Sequence, residues 1–209
     1  VDKSRSFNIT SLSVGLAKRL NAPDNYFVFS QGLSFQYYAL NTYKTGLFTF
    51  GDGSSRNLAY TIGLSRNNKG TNPIFPTYGS EFSISGKFTP PYSKFNKIDY
   101  ANLENLEEYK LKYTASSGRT IGVNAGGSYP QEGDYIAYNA GKGVYEKVET
   151  YQEADADAGK VDQKKFNWLE YYKIKFKADW FTKIYGKLVL RSLGEFGFLG
   201  SYNKDRGVV

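Results

Sequence analysis

Hydrophobic and polar positions alternate with a period of two along much of the chain, in six separate segments. Between residues 6 and 20, Leu12, Val14 and Leu16 fall on one side of an extended backbone, and Ser11, Ser13, Gly15 and Ala17 on the other. From 25 to 41, Phe27, Phe29, Leu33, Phe35 and Tyr37 oppose Ser30, Gly32, Ser34 and Gln36. From 57 to 66, Leu58, Tyr60, Ile62 and Leu64 alternate with Asn57, Ala59, Thr61, Gly63 and Ser65. The fourth segment sets Phe82, Ile84 and Phe88 against Glu81, Ser83, Ser85 and Lys87, and stops at Pro90-Pro91 because proline cannot donate to a ladder. From 168 to 181, Tyr172, Ile174, Phe176, Ala178 and Trp180 oppose Lys173, Lys175, Lys177 and Asp179. From 187 to 200, Leu188, Leu190, Phe196 and Phe198 oppose Val189, Arg191, Leu193 and Glu195. Successive side chains of a strand point to opposite faces, so this rhythm predicts six β-strands in three hairpins.

The connections differ in length. Residues 21–24 (NAPD), 67–79 and 182–186 are short or moderate turns, whereas 42–56 and 90–166 are long. Residues 92–166 abandon the alternation. They hold a stretch expected to be helical, ANLENLEEYKLKY, then a Gly/Ser/Tyr-rich region, then the acidic run EADADAG. The expected organisation is therefore strands over 1–91, one long loop or insertion over 92–166, and two further strands plus the start of the next loop over 167–209.

Composition narrows the chemistry. The 209 residues contain no Cys and no His, which removes disulfides, thiolate and most zinc sites, and the commonest general base. Paired carboxylates are left as candidate acid–base groups; no chemical catalysis and no cofactor are expected. Glu153, Asp155, Asp157 and Asp162 lack the glycine and terminal glutamate of an EF-hand, so a solvated acidic loop is expected there and no metal site. Residues 92–166 carry 10 Lys/Arg and 12 Asp/Glu, and the remainder 17 and 8, so the net charge of +7 belongs to the strands and their turns. Basic and aromatic residues alternate across a strand instead of sharing one platform, which argues against nucleic acid as a partner.

Alternation requires one apolar and one wet environment, and two readings satisfy it. One is a soluble β-barrel binding module with its apolar face inward. The other inverts it, with lipid outside and water inside. A polar face as charged as Lys87, Lys173, Lys175, Lys177, Arg191 and Glu195 suits a watery lumen. Aromatic residues at strand ends (Tyr26, Phe27, Tyr37, Tyr38, Tyr43, Tyr171, Tyr172, Trp180, Phe181) suit an interfacial girdle. Alternating short turns and long loops fit an outer-membrane barrel. On this reading Leu58, Tyr60, Ile62, Leu64, Phe82, Ile84, Phe88, Ile174, Phe176 and Trp180 face lipid. The plainer reading of the lysines, a solvated face without a specific ligand, stands beside the idea of a positive lumenal field. Six strands cannot close a lipid-spanning barrel without exposing backbone polar groups to hydrocarbon. With no Met in the chain, a central section of a longer polypeptide is expected.

The stretch SRNNKGTNPIFPTYGSEFSISGKFT carries a further signal. Phe75, Pro76, Thr77 and Gly79 form a structural turn motif, and Ser83, Ser85, Gly86 and Lys87 continue it. The stretch resembles a signature of the Omp-insertase superfamily, to which the outer-membrane assembly factor BamA belongs: a charged turn, Phe-Pro-Thr-x-Gly, then an alternating strand. SLSVGLAKRLNAPDNYFVFSQGLSFQYYAL resembles the preceding hairpin of that barrel, and EYYKIKFKADWFTKIYGKLVLRSLGEFGFLGSY the following one. The resemblance covers residues 6–89 and 168–202. Residues 92–166 fall outside it and read as a lineage-specific extracellular loop with a Bacteroidetes-type texture.

The resemblance implies an antiparallel transmembrane barrel of sixteen strands in the cell outer membrane, of which this chain supplies about six. It implies insertion of nascent outer-membrane proteins as the activity. The implied surroundings are the outer-membrane bilayer with its lipopolysaccharide, accessory assembly lipoproteins and the rest of the same barrel. The periplasmic POTRA domains, the gate strands and the Arg-Gly-Phe-type lumenal loop are not in this sequence, so no role of theirs passes to a residue here. A TamA-like or two-partner-secretion translocator would share the same barrel.

Overall fold

A computed structural model describes residues 5–43, 45, 46, 48, 50–70 and 76–207. Its strands are β1 (Ser6–Arg19), β2 (Phe27–Asn41), β3 (Gly53–Asn67), β4 (Gly79–Phe88), β5 (Ile136–Asn139), β6 (Val144–Lys147), β7 (Tyr172–Tyr185) and β8 (Leu188–Gly200), with one α-helix, α1 (Ala158–Phe166), before β7. Six strands form a single sheet in the order β1-β2-β3-β4-β7-β8. The ladders β3–β4, β4–β7 and β7–β8 are antiparallel. The chain is thus predominantly antiparallel β, the architecture that the two-residue period dictates. Among the described residues the sheet is open, with β1 and β8 at its edges.

Two strands run further than the alternation alone suggests. β3 starts at Gly53, inside the stretch read as loop. β7 continues through the stretch read as a turn. Lys183 still pairs with Val189 and Tyr185 with Leu188, with a register shift between Lys183 and Tyr185. The reversal falls at Gly186, whose φ of +54° is left-handed and cheap only for glycine.

The described residues divide into two compact units. The first takes in 8–38, 55–70, 76–97 and 168–207, and holds most of the six-stranded sheet. The second gathers residues of 1–7, 39–54 and 98–167 around Tyr100, Leu103, Tyr109 and Val161, flanked by Ile98 and Ala156. Both long connections contribute to this second unit. Gln163 joins them by accepting from Ser54 N at 3.0 Å and donating to Ser54 O at 2.7 Å.

The stretch ANLENLEEYKLKY is not the expected helix. It makes two 3₁₀ turns, Leu103–Asn105 and Glu107–Tyr109, separated by an extended Leu106 (ψ 139°). Breaking the helix there buries Leu103 and Tyr109 while Leu106 stays exposed, so burial overrides local propensity. Lys110 and Lys112 then bridge Ala156 and Tyr135.

The acidic run is likewise not a merely solvated loop. Asp155 accepts from Tyr138 N at 2.7 Å, and Asp157 caps α1 by accepting from Gly159 N (3.1 Å) and Lys160 N (3.3 Å). No group of three or more acidic side chains among the described residues is arranged to hold a metal ion. Asp157→Ala should cost about 1 kcal/mol, the ordinary value of an N-cap, measured as a shift in the unfolding midpoint of this unit.

Two carboxylates of this unit make it sensitive to acid. Hydrogen bonds from Gln131 N and then Lys147 hold Asp134 below the usual carboxylate range. Lys142 and then Asn139 do the same for Glu146. Depressed folded-state values mean that the stabilisation is complete above the ordinary carboxylate pKa and is lost as pH falls through the lower, folded value. Amide protection factors in the β5–β6 hairpin, taken relative to the intrinsic exchange rate at each pH, should therefore fall on acidification from about pH 5 to pH 3. Asp134→Asn combined with Glu146→Gln should flatten that dependence.

Candidate functional surfaces

The cross-strand register sorts the sheet into two faces. On one, Tyr60, Phe88 and Tyr172 lie in a row across β3, β4 and β7, followed by Ile62, Gly86 and Ile174, then Leu64, Ile84 and Phe176. β8 extends these rows with Gly200, Phe198 and Phe196. Leu58 shares this side by strand parity, and Phe82 and Trp180 occupy it nearer the turn between β3 and β4. In a water-soluble sheet this would be the covered face. Here Tyr60, Ile84, Phe176, Trp180 and Phe196 are exposed, from 40% (Phe176) to 60% (Phe196). Leu58, Ile62, Leu64, Phe82, Phe88 and Ile174 are half-buried, sheltered by their neighbours on the sheet. A polar pair lies on this face, where Tyr60 Oη donates to Gln31 Oε1 at 3.0 Å.

The opposite face carries the small and charged side chains, and it contains most of the buried positions of the sheet. Ser55, Asn57, Ala59 and Asp179 are all at most 3% exposed. Ser30 Oγ donates to Gly63 O, and Asn57 Nδ2 donates to Gln36 Oε1 (3.1 Å) and Tyr171 Oη (3.3 Å). Lys87 stands directly opposite Lys173, and Lys175 opposite Ser85. Lys87 lies over the Tyr171 ring. Lys177, opposite Ser83, reaches Glu195 at 3.6 Å, an exposed contact of small energetic weight.

At the turn end of this face the register places Glu81 directly against Asp179, two like charges in contact. Two cations resolve the repulsion. Arg191 forks onto Asp179 through Nε (2.9 Å) and Nη2 (3.0 Å), the fixed geometry a guanidinium offers a carboxylate. Lys69, from the turn, pairs with Glu81 and reaches Asp179 at 3.4 Å. The Phe181 ring lies within 5.6 Å of both cations. Hydrogen bonding to Glu81 leads the interactions that raise the Lys69 ammonium above its ordinary pKa, against the opposing effect of burial.

Gly79 opens β4 with φ +95°, and a Cβ there would meet the backbone of Asn68 and Lys69. Pro76 is half-buried and Thr77 exposed, while Phe75 lies outside the described residues. The alternation pattern placed Asp179, Glu81 and Arg191 on the wet face without joining them. The available signal was the register, because two opposed carboxylates demand a cation nearby.

A second ionic centre lies at the far ends of the strands. Glu170 and Arg206 pair at 2.5 Å with side chains 0% and 2% exposed. Glu170 also accepts from Ser93 N (2.7 Å) and Ser93 Oγ (2.6 Å), and Arg206 donates to Trp168 O. Below it, Thr89 Oγ1 donates to Tyr171 O and accepts from Tyr171 N. Pairing partners so distant in sequence leave no local pattern, so the linear sequence gives no sign of this cluster.

No protein-family model matches the chain, and no curated protein matches it.

Proposed function

We propose that the six-stranded sheet spans a lipid bilayer as part of a barrel wall, and that this wall belongs to an outer-membrane insertase of the BamA type. One observation carries the membrane reading: large apolar side chains on one face of the sheet are exposed, while most of its buried positions are small or ionic residues on the other face. Contiguous apolar exposure on this scale marks a surface covered by something apolar in use. A bilayer covers it without a partner layer, and the alternate face then meets water. The open edges at β1 and β8 would be costly in hydrocarbon, so further strands pair with them to close the wall.

The insertase assignment is narrower and rests on the turn resemblance around Pro76, Thr77 and Gly79. It makes the role mechanical and solvational, with no chemical step. Nascent outer-membrane proteins are the substrates. The second compact unit, built from residues of the two long connections, offers the docking surface for accessory lipoproteins. A TamA-like or two-partner-secretion translocator would use the same wall.

The membrane reading is tested by spin labels. The chain has no Cys, so one introduced at 84, 85, 175 or 176 is its unique thiol. In full-length protein with any cysteine outside this chain replaced by serine, reconstituted into liposomes, labels at 84 and 176 should be accessible to oxygen. Labels at 85 and 175 should be accessible to a water-soluble nickel complex. Uniform nickel access at all four would reject the reading.

A further inference from the structure

At the short-turn end of the apolar face, Pro23, Asp24, Phe27, Arg66, Asn68, Gly79, Ser80, Phe82 and Trp180 line a cavity of about 520 Å³. We propose that it binds the phosphodiester group of a membrane phospholipid, with the acyl chains leaving over Phe82 and Phe27 along the apolar face. This rests on the bilayer-spanning reading above and names a specific lipid contact within it.

The argument is a count of donors and acceptors. Arg66 sits on the apolar side of β3 by register, opposite Phe82. It is held at the strand end by Asp24 (Nε to Oδ2, 2.9 Å; Nη2 to Oδ2, 2.7 Å) and by Ser80 Oγ (3.2 Å from Nη1). The rings of Tyr26 and Phe27 lie 5.7 Å from its Cζ. A guanidinium has five N–H donors, so these three contacts leave two without an acceptor among the described residues. The Trp180 indole N–H and the Asn68 amide N–H groups also lack an acceptor among them. Asn68 Oδ1 is already occupied, accepting from Ser80 N and Oγ.

The acceptors are largely engaged, with three of the roughly four lone-pair sites of the Asp24 carboxylate taken. Asp24 Oδ1 takes Tyr26 N, and Oδ2 takes both Arg66 contacts. The cavity is therefore rich in donors and poor in acceptors, with aromatic walls. A phosphodiester supplies acceptors only, and its two unesterified oxygens match a guanidinium edge. The walls continue into exposed apolar surface at Trp180 and Ile84, where acyl chains find cover. A soluble anion would make no use of that continuity.

The test is native mass spectrometry of the full-length protein released from detergent micelles. The probes are dioleoyl-phosphatidylglycerol, dioleoylglycerol with the same chains and no phosphate, and inorganic phosphate as competitor. The phospholipid should be retained and the diacylglycerol should not. Arg66→Gln should weaken retention by about tenfold or more, and Trp180→Phe, which keeps a ring and loses one donor, by about threefold.

Equal retention of both lipids, or unchanged retention in both variants, overturns the proposal. So does displacement by inorganic phosphate at concentrations comparable to the lipid, which would mark a free-anion site. Failure here with the expected spin-label alternation removes the lipid site alone. Loss of that alternation removes the bilayer reading as well.

Discussion

Replacing Glu170 with alanine should destabilise the protein by about 3–5 kcal/mol, the largest effect of any single change outside the apolar face. The pair it forms with Arg206 is almost fully removed from solvent. Burying both ions is expensive in itself, so the intact pair contributes little net stability. Removing one partner is different, because Arg206 would remain as an uncompensated charge and Ser93 N and Oγ would lose their acceptor. The pair ties together three segments of the chain, around Ser93, Glu170 and Arg206. The measurement is the unfolding midpoint in detergent, followed by the loss of β-sheet signal. A double variant, Glu170→Gln with Arg206→Met, should recover much of the loss, since it removes the charge that the single change strands. A midpoint within about 0.5 kcal/mol of the parent for Glu170→Ala would show that water reaches the pair.

Placing arginine at Phe176 or Ile84 separates the two readings of the sheet most sharply. These residues face each other across β4 and β7 at the middle of the apolar face, and both are substantially exposed. If that face meets water, a charge there is a surface substitution worth within about 0.5 kcal/mol. If it meets the hydrocarbon of a bilayer, the cost is about 2–4 kcal/mol near the midplane, falling toward the interfaces. The same substitution at Ser85, one residue away on the other face, should be close to neutral. A ladder of single arginines at 82, 84 and 88 should trace a maximum in the centre. A flat response would reject lipid contact, whatever the resemblance of the turn.

Much of the fold was legible without coordinates because a period of two can be satisfied in few ways. Leu58 to Leu64, Phe82 to Phe88 and Tyr172 to Trp180 each declare a strand and its two faces from local order alone, and the antiparallel ladders pair those faces like with like. The chemistry excluded by the lack of Cys and His was equally plain. The stretch 101–113 failed as a helix because its Leu and Tyr spacing was filled by burial in a small core and not by helical turns. Helix α1 escaped notice because its start is an Asp cap hidden within an acidic run.

Sequence by itself determined which residues share a side of each strand, since that follows from the geometry of an extended chain. It could not determine which carboxylate meets which cation. The links Asp179 to Lys69, Glu170 to Ser93 and Asn57 to Tyr171 span 110, 77 and 114 positions. Contacts of that reach depend on strand register and on the path of the long connections, and both are fixed only when the whole sheet assembles.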